Sequence, residues 1–157
     1  MTKYKHTQIG YLMLVVLLAV FALFAWVHLA SLAESPSIDS GPNFAISVLM
    51  ILILLLLASF TTLNVSIDEY YIRVKFGYGI FRKKLLLSEI DAVRAVKNHW
   101  YYGWGIRGWF WPHYMTIYNV SGFDAIEVTM KNGKIYRIGT DVPSELLVAI
   151  KANMNSR

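Results

Sequence analysis

The sequence predicts a membrane α+β protein: a two-helix transmembrane hairpin, then a domain of seven short strands closed by a C-terminal helix. Two long charge-free runs predict the spanning helices. A change from continuous apolarity to alternation after the second run predicts the strands. An Asn-Gly turn and a Pro-opened apolar period predict how the domain ends.

The second run, Phe44 to Leu63, reads FAISVLMILILLLLASFTTL. A helix rises about 1.5 Å per residue, so some 20 apolar residues cross a hydrocarbon core of about 30 Å. The first run, Gly10 to Ala30, reads GYLMLVVLLAVFALFAWVHLA and follows a short polar segment with Lys3, Lys5 and His6. It exceeds the apolar core of a signal peptide, about 7–15 residues, and a second run follows, so a retained anchor is expected. Trp26 and His28 stand near its far end, where amphipathic rings favour the interface. Ser31 to Asn43 is a loop of Ser, Pro and Gly, and Asn43 is placed to cap the next helix. The spans are set at about 10–30 and 44–63 within residues 1–64, and the soluble domain at 65–157.

The formal charge is +5. Lys3 and Lys5 balance Glu34 and Asp39, so the excess belongs to the C-terminal domain. Beside a bilayer such an excess attracts anionic lipid; elsewhere it is a solubilising surface. The loop between the runs has no Lys or Arg, whereas Lys3, Lys5, Arg73, Lys75, Arg82, Lys83 and Lys84 flank them. The positive-inside rule then puts both termini in the cytoplasm. Neither run contains Asp, Glu, Lys or Arg, which argues against a transporter or pump. The absence of cysteine excludes a disulfide framework, a thiolate zinc site and a cysteine nucleophile.

From Leu63 onwards Leu63, Val65 and Ile67 alternate with polar residues, and Asp68-Glu69 turns the chain. Ile72, Val74 and Phe76 form the next apolar face, and Gly77-Tyr78-Gly79 turns again. Phe81 to Leu87 is a third strand, with Phe81, Lys83, Leu85 and Leu87 on one side. A helical turn is expected before a strand near Val93 to Lys97, and another strand at His113 to Tyr118. Ile126, Val128 and Met130 alternate up to Asn132-Gly133, the strongest hairpin signal, and Lys134 to Ile138 pairs back. Asp141 and Pro143 open a helix with Leu146, Leu147 and Ile150 on its apolar face.

Three segments carry a resemblance: VSIDEYYIRVKFGYGIFRKKLLLSEIDAV at Val65 to Val93, GWGIR at Gly103 to Arg107, and YNVSGFDAIEVTMKNGKIYRIGTDVPSEL at Tyr118 to Leu146. Together they resemble the bacterial pleckstrin-homology-like domain. The resemblance implies a strongly bent, seven-stranded antiparallel sandwich or barrel plugged by its C-terminal helix. It also implies a place in a bacterial cytoplasmic (inner) membrane, because many such domains follow one or two spanning helices. Lipid-reading pleckstrin domains carry Lys and Arg in the first hairpin; here that turn is Asp68-Glu69, which argues against phosphoinositide binding there.

Asn98 to Pro112, NHWYYGWGIRGWFWP, has the most unusual composition in the chain. Trp100, Tyr101, Tyr102, Trp104, Trp109, Phe110 and Trp111 surround the single cation Arg107, and Gly103, Gly105 and Gly108 break any regular period. Exposed, this would be a large apolar patch. It reads either as a headgroup-layer contact, with Arg107 meeting a phosphate, or as rings packed on the domain or span ends. A dedicated ligand pocket is a third reading. Arg82, Lys83 and Lys84 form a basic surface that alternates faces on a strand, suited to a solvated edge or to lipid.

His99 and His113 with Asp124 or Glu127 lack the tight spacing of a metal site. Ser121-Gly122 is not a nucleophile elbow. No cofactor and no nucleic acid is expected. The sequence therefore predicts a non-catalytic scaffold at the cytoplasmic face, engaging lipid headgroups or a protein partner, a second copy included. The alternative is an accessory subunit of a membrane enzyme or transporter.

Overall fold

A computed structural model describes residues 3–34, 41–109 and 115–154. It contains three α-helices and nine strands in two sheets. The first sheet holds β1 (Tyr4–Ile9), β2 (Thr62–Ile67), β3 (Tyr71–Phe76) and β4 (Arg82–Leu86), in that order and all antiparallel. The second holds β5 (Ile90–Lys97), β6 (Gly105–Trp109), β7 (Met115–Asn119), β8 (Asp124–Met130) and β9 (Ile135–Gly139), in the order β5-β8-β9-β7-β6. α1 (Tyr11–Glu34) and α2 (Gly41–Ala58) lie between β1 and β2, and α3 (Pro143–Met154) closes the described chain.

The predicted two-helix transmembrane hairpin with a seven-stranded antiparallel sandwich is not this architecture. Two strands are added, and β7 pairs with β9 in parallel. α1 is long and apolar enough to cross a membrane over Tyr11–Ser31. The apolar part of α2, Phe44–Ala58, falls short of that length; at about 1.5 Å per residue it extends about 22 Å.

The second apolar run extends to Leu63, but its last residues belong to the domain. The Thr61 hydroxyl donates to the Ala58 carbonyl at 2.8 Å, and the backbone tightens there. Phe60 then stacks on Phe81 at 5.0 Å and meets Phe76 edge-on at 5.5 Å. An apolar helix running straight into an apolar strand shows no boundary in hydropathy. α2 also begins at Gly41, ahead of the expected Asn43 cap.

β1 lies in what reads as a polar tail. Its inward residues are Tyr4, His6 and Gln8, so it lacks apolar alternation. Polar contacts hold it instead. Gln8 is buried and its Nε2 donates to the Ser121 carbonyl at 2.9 Å, while His6 Nε2 meets Asp141 Oδ1 at 2.5 Å. Gly10 joins β1 to α1. Its N–H donates to Thr61 O at 2.7 Å, and a Cβ there would lie 3.0 Å from the Val120 carbonyl oxygen. Because β1 pairs with β2, the chain leaves the sheet along α1 and returns to it along α2, and the two helices pack together.

The two sheets enclose one core. Leu63, Val65, Ile67, Ile72, Val74, Phe76 and Leu85 face it from the first sheet, and Ile126, Val128 and Ile138 from the second. Leu146 and Ile150 of α3 enter the same core, with Leu147 half-buried at its edge. The ends of the sheets nearest the helices carry Ile9, Thr62 and Gly77 on one side and Val120 on the other. Asn119, Gly105, Gly139, Asp124 and Lys97 lie at this same end of the second sheet by register.

Candidate functional site

β5 and β6 are the opposite edges of the five-stranded sheet, so the chain from Asn98 to Trp104 must cross the sheet to link them. Four strand spacings are about 19 Å, within reach of those residues. The crossing occurs at the helix-root end, where Lys97 and Gly105 lie. It contains a turn of 3-10 helix at Trp100–Tyr102. The aromatic stretch is thus part turn and part strand, because Gly105 to Trp109 pairs with β7 despite its two glycines.

A polar row beneath fastens this crossover. Register aligns Arg94, Glu127, Arg137, Ile117 and Arg107 across the five strands. Glu127 is 3% exposed. It accepts from Arg94 Nε at 2.7 Å and from Arg137 Nε at 2.8 Å. Burial pushes its carboxyl up, but the hydrogen bonds and charges of Arg137 and Arg94 outweigh this and hold it below its ordinary range. Arg137 also donates to Asn98 Oδ1 at 3.4 Å, and its guanidinium lies 5.5 Å from the centre of the Tyr102 ring.

The predicted aromatic residues separate into two groups. His99 stacks on Tyr101 at 5.0 Å, and Tyr101 meets Tyr102 edge-on at 4.8 Å. Trp100 meets Tyr101 edge-on at 6.1 Å from the outer side of this stack and is 78% exposed. Trp104 and Arg107 instead line a cleft of about 480 Å³ with Met13 of α1 and with Leu57 and Phe60 at the end of α2. The Arg107 guanidinium rests against Gly103. Trp109 pairs with Met115 through its backbone. Phe110, Trp111 and His113 lie outside the described residues.

Of the predicted basic surface, Arg82 and Lys84 face outward on the first sheet, and Lys83 points the other way, 5.4 Å from the centre of the Tyr136 ring. The alternation was legible. Its consequence was not, because strand pairing places Lys5, Arg73 and Lys75 beside Arg82 and Lys84. Sequence reasoning also missed the Arg94–Glu127–Arg137 cluster. A carboxylate at an alternating strand position with an Arg on each neighbouring strand was the available signal. Among the described residues no three metal-ligand side chains come together.

The chain matches no family model, no curated protein and no solved structure.

Proposed function

We propose that this chain is a membrane-held binding module. α1 anchors it in the bilayer, and its β-rich part rests on the membrane surface and engages headgroups or a partner there. The observation that carries this reading is the cleft joining Trp104 and Arg107 to Met13, Leu57 and Phe60 at the helix root. A Trp and an Arg at the foot of an apolar helix suit the headgroup layer, where rings and guanidinium groups meet both hydrocarbon and phosphate. Exposed Trp100 and Phe123 at the same end support it.

The module belongs, in this reading, with the bacterial pleckstrin-homology-like family and at the cytoplasmic face of the inner membrane. Support comes from β1, which brings Lys3 and Lys5 to the same side as Arg73 and Lys75, the side favoured for cations. The role is binding rather than catalysis.

A second reading, the accessory subunit, draws on an apolar groove of about 430 Å³ between Leu17, Phe21, Leu54, Leu55 and Ala58. A helix of another protein would fit against it. Mass measurement in mild detergent separates the two: a stoichiometric foreign subunit favours this second reading, and a single chain or its homo-oligomer favours the first.

Tryptophan fluorescence tests the main reading. In bilayers, the full chain with Trp26→Phe should be quenched by lipids brominated near the headgroup. A folded protein that is not quenched keeps the rings off the bilayer and ends the reading.

A further inference from the structure

The outer face of the first sheet carries its cations and small polar groups in its middle, between Ile9 at the helix end and Tyr71 and Leu86 at the far end. Register gives two rows across the four strands. The nearer to the helices is Thr7–Asn64–Lys75–Arg82, and the farther is Lys5–Ser66–Arg73–Lys84. They flank a cavity of about 570 Å³ whose wall carries the cations Lys5, Arg73 and Lys75 together with Asn64, Ser66 and the Asp68 carboxylate. Five cations therefore share a face with one nearby acid, Asp68, which pairs with Arg73 at 2.5 Å.

The pairing is unfavourable as it stands. Arg73 opposes Lys84, and Lys75 opposes Arg82, directly across the strands. Like charges directly opposite destabilise a sheet. Among the described residues Lys5, Lys75 and Arg82 have no acidic partner. Arg73 keeps a buried Nε–H that no protein acceptor meets. Such a face is complementary to an anion.

Position suggests which anion. Two strand residues rise about 7 Å, so the Lys75–Arg82 row lies that far from where β2 leaves the helix end. The headgroup layer of one leaflet is roughly 5–8 Å thick. The β3–β4 turn abuts that root, with Gly77 against Ser59, and presents Tyr78 and Ile80 to the outside at 69% and 67% exposure. An exposed Tyr beside an Ile suits the same interface.

We propose that this face binds the phosphates of anionic phospholipid headgroups in the leaflet nearest the sheet, with Lys75 and Arg82 as the first contacts and Lys5 and Arg73 behind them. The proposal rests on the membrane reading above. It adds a second, electrostatic contact on the opposite sheet from the aromatic one, so the two sheets would grip the surface by different chemistry.

The test uses the full chain in nanodiscs of phosphatidylcholine alone or with phosphatidylglycerol, and follows lysine labelling by mass spectrometry. Lys75 and Lys5 should label more slowly with the anionic lipid, about fivefold for Lys75 if each cation near the surface gains its usual attraction. Lys131 and Lys134, in the β8–β9 turn at the far end, should not change. Arg82→Gln should reduce the Lys75 protection while leaving thermal stability in neutral discs unchanged or raised, because a like-charge pair is relieved. Equal labelling of Lys75 in both discs overturns the proposal. So does full protection by inorganic phosphate in neutral discs, which would make the ligand a soluble phosphate. In the same discs Trp26 should be quenched by acyl-brominated lipid. If it is not, the membrane reading fails and takes this proposal with it; if it is, a failure at Lys75 belongs to this proposal alone.

Discussion

Arg137 of β9 and Glu127 of β8 face each other across the sheet, and Arg137 Nε donates to Glu127 Oε2 at 2.8 Å. Arg94 closes the other oxygen from β5. A buried carboxylate between two guanidinium groups makes stability depend on its charge. Its folded pKa lies below the ordinary 4.5, so the stabilisation is present above that pH and is lost as pH falls through the folded value. Glu127→Gln should flatten the acid limb of stability against pH and cost about 3 kcal/mol at neutral pH, since it leaves Arg137 without its counter-charge. An unchanged acid slope in the Gln variant would show that other carboxylates govern it.

At the helix root Gly77 packs closely against the backbone of Ser59. Gly77 has φ of +43°, and a Cβ there would lie 2.5 Å from the Ser59 carbonyl oxygen. Backbone on both sides must move to admit a methyl. Gly79, at φ of +87°, has open space by comparison, with Lys75 Cδ at 3.8 Å. Gly77→Ala should therefore cost more than about 2 kcal/mol and Gly79→Ala about 1, the difference being the clash rather than the dihedral. Denaturant unfolding of the full chain in mild detergent measures both. Equal costs would mean the helix root gives way easily.

Tyr118 provides the opposite pH limb. It is buried against Phe76 and Tyr136, and burial first, then the neighbouring Tyr136, pushes its phenol up to about 12 from 10.0. Between those values the unfolded chain releases the proton and the folded chain keeps it, so stability falls as pH rises. Tyr118→Phe should remove about 2–3 kcal/mol of that alkaline loss. The check is the difference in unfolding free energy between neutral and strongly alkaline buffer, which should shrink in the Phe variant.

What the sequence made legible follows from which interactions leave a period in it. Ile72, Val74 and Phe76, like Ile126 and Val128, alternate because one face of the strand is buried, and all five are at most 1% exposed. Asn132-Gly133 announced the β8–β9 hairpin through the positive φ that Gly133 adopts. β1 left no period, because Gln8 and His6 are held by hydrogen bonds rather than by apolar burial. β6 left none either, since an edge strand with Gly105 and Gly108 has little side chain to alternate. These two omissions explain the missed sites. Without β1 the cations of β3 and β4 have no partner row, and without β6 the tryptophan stretch looks like a loose loop instead of a crossover bound for a sheet edge.

The crossover itself supplies the last prediction. Asn98 and Tyr102 both lean on the Arg137 guanidinium, one through Oδ1 and one through its ring. Arg presents several fixed donors and a flat cation, whereas Lys presents a compact charge that can keep the Glu127 pair but cannot also meet the ring and the amide. Arg137→Lys should therefore leave the β8–β9 pairing intact and loosen the segment above it. Loss of one hydrogen bond to a charged group, about 1.5 kcal/mol, corresponds to roughly tenfold faster local exchange. Hydrogen exchange of the full chain should show that acceleration over Asn98 to Gly103 and little change in the amides of β8. If the crossover exchanges at its original rate, the His99–Tyr101–Tyr102 stack holds it without Arg137, and the polar row serves the sheet alone.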